Sequence, residues 1–260
     1  MGALSVGVVA CGSATPEPPP DELSDPGPHD ASFDGALSFD GVDDFASVGT
    51  ARMPLLESNQ TLMLWFSPKA SATAAADDLQ VMLALRRSDW SGVGLAVRAG
   101  VPLVRNLFSN RDLAIAEAAV TLDAWHHAAV VIAPDRTELF IDGVSVSKVG
   151  QPGQNRTAIE AYLGSADGRS QPFHGLLDEV RVYPRSFSPE QIADAARGVR
   201  TANEADAPVL YLSFNEAAGA RCYDRSGLDN HAELGDGVTS LMPLREKSGV
   251  PSEPPSMPAP

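Results

Sequence analysis

The chain has 260 residues, 43% of them hydrophobic, with 22 glycines, 21 prolines and a formal net charge of −15. That length supports one sizeable core or two small ones. The charge argues against nucleic-acid and anionic-membrane partners and suits divalent cations or neutral ligands.

The first ten residues form a short apolar block ending in Val8-Val9-Ala10, followed by Cys11. Val8 to Cys11 resembles the lipobox of bacterial lipoproteins, in which the signal is cut before a cysteine that then carries lipid. The segment departs from that pattern in being short and lacking Lys or Arg. The resemblance implies a lipid anchor at Cys11 as the only membrane attachment, since no apolar run reaches the roughly 18 residues of a spanning helix. It also implies a cell-envelope location, outer-membrane-anchored or secreted. Residues 11–32 are acidic and proline-rich and read as a disordered tether; residues 246–260 read as a similar tail. The folded domain is expected over 33–245.

Within it, short apolar runs alternate with turn signals: 36–41, 45–49, 62–68, 79–87, 92–100, 102–108, 125–134, 137–149, 158–164, 176–183 and 209–214. Asp142-Gly143 marks a hairpin between two of them. Residues 113–120 have helical composition, but the context favours a strand. Ser188, Pro189 and Gln191 make a capping box that opens a helix near 188–197, with Gly198 placed to end it. The fold class is all-β: an antiparallel sandwich with one short surface helix.

Four blocks carry a family resemblance: Ala36–Val48 (ALSFDGVDDFASV), Ala124–Val146 (AWHHAAVVIAPDRTELFIDGVSV), Phe173–Ile192 (FHGLLDEVRVYPRSFSPEQI) and Val209–Leu234 (VLYLSFNEAAGARCYDRSGLDNHAEL). Together they resemble the bacterial laminin-G-like, concanavalin A-like jelly rolls. That resemblance implies the sandwich fold. It leaves function open, because such folds host lectins, adhesion modules and some hydrolases. Relatives that bind calcium raise the expectation of Ca2+ here. The candidate ligands are Asp40 and Asp43 with Asp178, or Glu216 and Asp224 with carbonyls near Gly227.

Asp178 and Glu179 sit inside an apolar strand. Strict alternation puts Asp178 on the core face with Val180 and Val182, where a lone carboxylate needs a hydrogen-bond, arginine or metal partner. The sequence contains neither the paired-acid strand of concanavalin-like glycosidases nor a G-x-S-x-G elbow nor an H-E-x-x-H zinc helix, so a non-enzyme is expected. His126 and His127 alternate on a strand and read as packing residues. Trp90, in the turn RRSDWSG, is the aromatic best placed to stack on a sugar, with Arg87 and Asp89 as polar contacts. Trp65 and Trp125 read as core. The expectation is an extracytoplasmic, non-catalytic binding module for carbohydrate or a cell-surface protein, calcium-assisted. The alternatives are a structural envelope lipoprotein with a protein partner and, third, a glycoside hydrolase.

Overall fold

The computed structural model describes residues 33–49, 59–70, 78–87, 91–150, 160–198 and 207–250. In chain order they form β1 (Gly35–Asp40), β2 (Ala46–Gly49), β3 (Gln60–Pro68), β4 (Leu79–Arg86), β5 (Gly92–Arg98), β6 (Val101–Asn106), β7 (Arg111–Ile115) and β8 (His126–Ala133). There follow β9 (Arg136–Ile141), β10 (Val144–Val149), β11 (Glu160–Leu163), β12 (His174–Tyr183), α1 (Pro189–Ala196), β13 (Leu210–Leu212), β14 (Arg221–Cys222), β15 (Ala232–Leu234) and β16 (Leu244–Lys247). A front sheet runs β10-β9-β8-β3-β12-β1-β16, with β13 beside β12. A back sheet runs β14-β15-β2-β11-β4-β5-β6-β7. All the pairings are antiparallel, and the sheets close as a sandwich.

Period-two alternation decides which residues meet between the sheets. From β3 come Leu62, Leu64 and Phe66, from β8 Ala128, Val130 and Ile132, and from β5 Val93, Leu95 and Val97. Phe39, Phe173 and Phe214 fill the spaces between them, and all three are buried. Each such side chain contributes about 1.5–3 kcal/mol by leaving water.

Asp142 and Gly143 both take positive φ, 51° and 80°, as a two-residue hairpin of the primed type demands. The helix opens as its capping box requires. Ser188 Oγ accepts from Gln191 N–H at 3.3 Å, and Gln191 Oε1 accepts from Ser188 N–H at 2.9 Å. Its buried Ile192 packs on Met63, Phe140, Tyr183 and Phe187, on the outer face of the front sheet.

Several expectations change. Only the start of 113–120 is strand; the rest wraps the β5–β6 turn, with Ala116 and Val120 donating to Pro102 O and Gly100 O at 2.9 and 3.0 Å. Trp65 is buried on the outer face, edge-on to His127 at 5.4 Å, rather than between the sheets. Trp125 is half-buried just before β8. The folded body also passes the expected boundary at 245: β16 pairs with β1 as far as Gly35 opposite Lys247, and Val250 is buried. Ser248 N–H donates to Asp34 O at 3.0 Å, so the two ends of the body lie side by side.

Candidate functional site

The β4–β5 hairpin carries the sequence-predicted ligand residues. Trp90 and Asp89 lie outside the described residues. Arg87 is described, half-buried at the hairpin's start, and its N–H closes the turn by donating to Ser91 O at 2.9 Å. Immediately beside this hairpin lies the β6–β7 turn, because Leu107 N–H donates to Gly92 O at 3.0 Å. Asn106 Oδ1 accepts from Ser109 N–H at 2.9 Å, and Asn110 adopts φ 52°. Both are turn devices suited to asparagine. They hold Phe108 at the tip, 70% exposed. The ring belongs to none of the apolar clusters formed by the described residues.

Behind the tip, the outer face of the back sheet presents one continuous row. Glu233, Ser47, Tyr162, Ala84, Gly94, Arg105 and Asp112 stand opposite one another on successive strands from β15 to β7. Its middle is small and apolar, and Val81, Ala84, Ala96, Leu103 and Ala166 form a second, minor cluster there. Polar groups rim it. Arg105 and Arg98 donate to the two oxygens of Asp112 at 2.6 and 2.7 Å. Burial pushes the Asp112 carboxyl up, but the hydrogen bonds and charges of the two arginines outweigh it and hold the group below the usual carboxylate range. Arg105 Nε is buried and has no acceptor among the described residues. The Arg86 guanidinium lies 5.5 Å from the Tyr162 ring centre, and its Nη1 donates to Ala166 O at 3.3 Å.

The calcium candidates separate. The carboxylate oxygens of Asp40, Asp43 and Asp44 lie within 4.8 Å of one another. Asp178 is not in that group: Asp40 stands opposite His174, four strand residues from Asp178, or about 13 Å along the strand. Asp44, the third acid of the FDGVDD stretch, takes its place. The loop uses its own acids, since Asp40 Oδ1 accepts from Val42 N–H at 2.8 Å and Asp44 Oδ2 from Asp40 N–H at 3.0 Å. Burial pushes the Asp44 carboxyl up to about 6. This hard-oxygen set fits Ca2+ in ligand type and supplies three of the six to eight oxygens that ion takes. Glu216 and Asp224 are committed elsewhere. Asp224 accepts from Tyr211, Ser226 and Asn230 N–H at 2.9, 3.0 and 3.0 Å, and Glu216 accepts from Tyr223 N–H at 2.9 Å and meets Arg245 at 3.3 Å.

The two acids of β12 mark a β-bulge. Asp178 stands opposite Trp65 and Arg181 opposite Met63, so three steps on β12 face two on β3, and Glu179 adopts φ 52°. Here β12 stops pairing with β1 and starts pairing with β13. The extra residue reverses the expected facing: Val180 and Val182 point into the core, whereas Asp178 lies on the outer side. Asp178 accepts from its neighbour's backbone, Glu179 N–H, at 2.7 Å and from Ser248 Oγ. Glu179 pairs with Arg181, whose guanidinium lies 4.4 Å from the Tyr211 ring centre. Burial, reinforced by the charge of Glu179, raises the Asp178 carboxyl well above its ordinary value.

His127 is fully buried. Burial, with Arg181 nearby, lowers its imidazole to about 3, so it is neutral at physiological pH. His126 bridges Asp142 Oδ2 at 2.9 Å and Thr121 O at 3.1 Å. Burial pushes the Cys222 thiol up to about 12, leaving it a poor nucleophile. Cys11 lies outside the described residues, among which no helix is long and apolar enough to cross a membrane.

The family model for the concanavalin A-like lectin/glucanases superfamily matches residues 40–193. None of the curated proteins matches the sequence. Among solved structures, the "putative carbohydrate binding protein" of Bacteroides ovatus ATCC 8483 is similar at 15% identity and TM-score 0.63, over 85% of this chain and 61% of that one. This chain thus spans about three-fifths of that protein's length. The heptameric SAP-like pentraxin of Limulus polyphemus is similar at 11% identity and TM-score 0.52, over 78% of this chain and 95% of that one. At these identities the likeness is one of fold.

Proposed function

Because the chain belongs to the concanavalin A-like lectin/glucanases superfamily, we propose that it is a non-catalytic carbohydrate-binding module. The ligand site is the end of the back sheet where the β4–β5 and β6–β7 hairpins meet. The observation that carries this is Phe108, an exposed ring fixed at a hairpin tip beside the Arg105–Asp112 pair. A pyranose stacks its apolar face on such a ring while its hydroxyls reach nearby charged groups. Arg87 opens the adjoining hairpin, and Asp89 and Trp90, which follow it in the sequence, are candidate further contacts. The carbohydrate-binding assignment of the similar Bacteroides ovatus protein supports this reading.

Three further elements belong to the proposal: calcium held at Asp40, Asp43 and Asp44, a lipid anchor at Cys11, and display of the module at the cell envelope for adhesion. Metabolic labelling with a clickable fatty acid, lost in Cys11→Ala, tests the anchor. Affinity electrophoresis of the full chain through polysaccharide-containing gels tests the site. Retardation by at least one polysaccharide, abolished in Phe108→Ala, is the expected result.

A further inference from the structure

The strands that build this site have a charge composition unlike the rest of the molecule. From Leu79 to Ile115 there are five arginines, Arg86, Arg87, Arg98, Arg105 and Arg111, against two aspartates, with no lysine and no glutamate. The whole chain carries a net charge of −15. Three of the five, Arg86, Arg98 and Arg105, share the outer face of the back sheet. Arg111 is exposed at the foot of the Phe108 turn, opposite Asn106.

Charge is divided along the row. Beyond Tyr162 gather Glu160, Asp167 and Asp236, whose charges help keep the Tyr162 phenol protonated after burial has already raised it. On the other side lie the arginines, where one carboxylate, Asp112, serves both Arg98 and Arg105. Two guanidiniums on a single acid leave excess positive charge and donor capacity, and the buried Arg105 Nε has no acceptor among the described residues. A planar guanidinium fork matches a carboxylate or sulfate better than it matches a hydroxyl.

We infer that the saccharide recognised here is anionic, with its carboxylate or sulfate group docking on the Arg98–Arg105 pair behind the Phe108 tip. This rests on the carbohydrate-binding reading above and adds the chemical class of the ligand. The carboxylate and the sulfate share one chemistry, an oxyanion borne on a sugar ring.

The test titrates the full chain with two matched pairs: oligogalacturonate against its methyl ester, and dextran sulfate against dextran. The expected result is that at least one anionic member binds about tenfold more tightly than its neutral parent. That preference should shrink at least threefold in about 0.5 M salt, where screening is strong. It should also shrink in Arg105→Gln and, should that variant fold poorly, in the more exposed Arg98→Gln. The first pair reports a uronate source and the second a sulfate source. Neutral parents binding as tightly as the anionic members, or a preference unmoved by salt and by both substitutions, overturns the charge inference and leaves the module reading standing. Binding to none of the four overturns both.

Discussion

Arg105 on β6 donates to Asp112 on β7 at 2.6 Å, three residues before the exposed ring of Phe108. The ion pair sits across the hairpin whose tip presents the ring. The same two strands therefore supply the stacking surface and the polar groups, and the pair braces the tip.

Phe108→Ala removes a solvent-exposed ring that joins no apolar cluster among the described residues. Stability by urea titration should change by less than about 0.5 kcal/mol. Affinity for the retained polysaccharide should fall at least about tenfold. A large stability loss would mark Phe108 as a packing residue.

Glu179→Ala leaves Arg181 buried beside Tyr211 without its carboxylate partner. The expected cost is about 3–5 kcal/mol, because removing one partner of a buried ion pair is more harmful than replacing the whole pair. Chemical denaturation measures it. A change below about 1 kcal/mol would contradict the pairing.

The buried groups fix how stability depends on pH. The folded state holds the protons of Asp44 and Asp178 more tightly than the unfolded chain does, so each lowers stability as pH rises above about 4. For Asp44 that loss is complete once pH passes about 6. His127 works the other way: lowered to about 3 from 6.5, it costs stability as pH falls below 6.5. His127→Gln should therefore gain on the wild type as pH is lowered from 6.5 to 4, in parallel thermal melts. A gap between the two that stays constant with pH would exclude a buried neutral imidazole.

Calcium at the β1–β2 turn should raise the melting temperature of the wild type and leave Asp43→Asn unmoved, since an ion that binds only the folded state stabilises it by mass action. Equal melts with calcium and with chelator would remove the metal from the account.

Most of the architecture is legible in the sequence because alternation, turn residues and the Ser188 capping box all act locally. What escapes is set by contacts between distant segments. Strict alternation put Asp178 on the core face with Val180; a one-residue bulge where β12 changes partners reverses this. The adjacent Asp and Glu in an apolar run were the visible sign of that bulge. Asp178 is a candidate third ligand beside Asp40 and Asp43 in the sequence, and the nearer Asp44 fills that place, because the spacing of residues on different strands cannot be ranked from sequence. Phe108 was read as the end of a strand. The signal that it is a tip is local, an asparagine at each side of the turn at 106 and 110. The row from Glu233 to Asp112 crosses seven strands, and no sequence pattern displays it.

The most direct measurement is a glycan array probed with the full chain and with Phe108→Ala, matched for folding by circular dichroism. The account predicts that the wild type binds a defined set of glycans and that Phe108→Ala loses them. A wild type that binds no glycan, or a Phe108→Ala chain that keeps the full set, would contradict the proposed site.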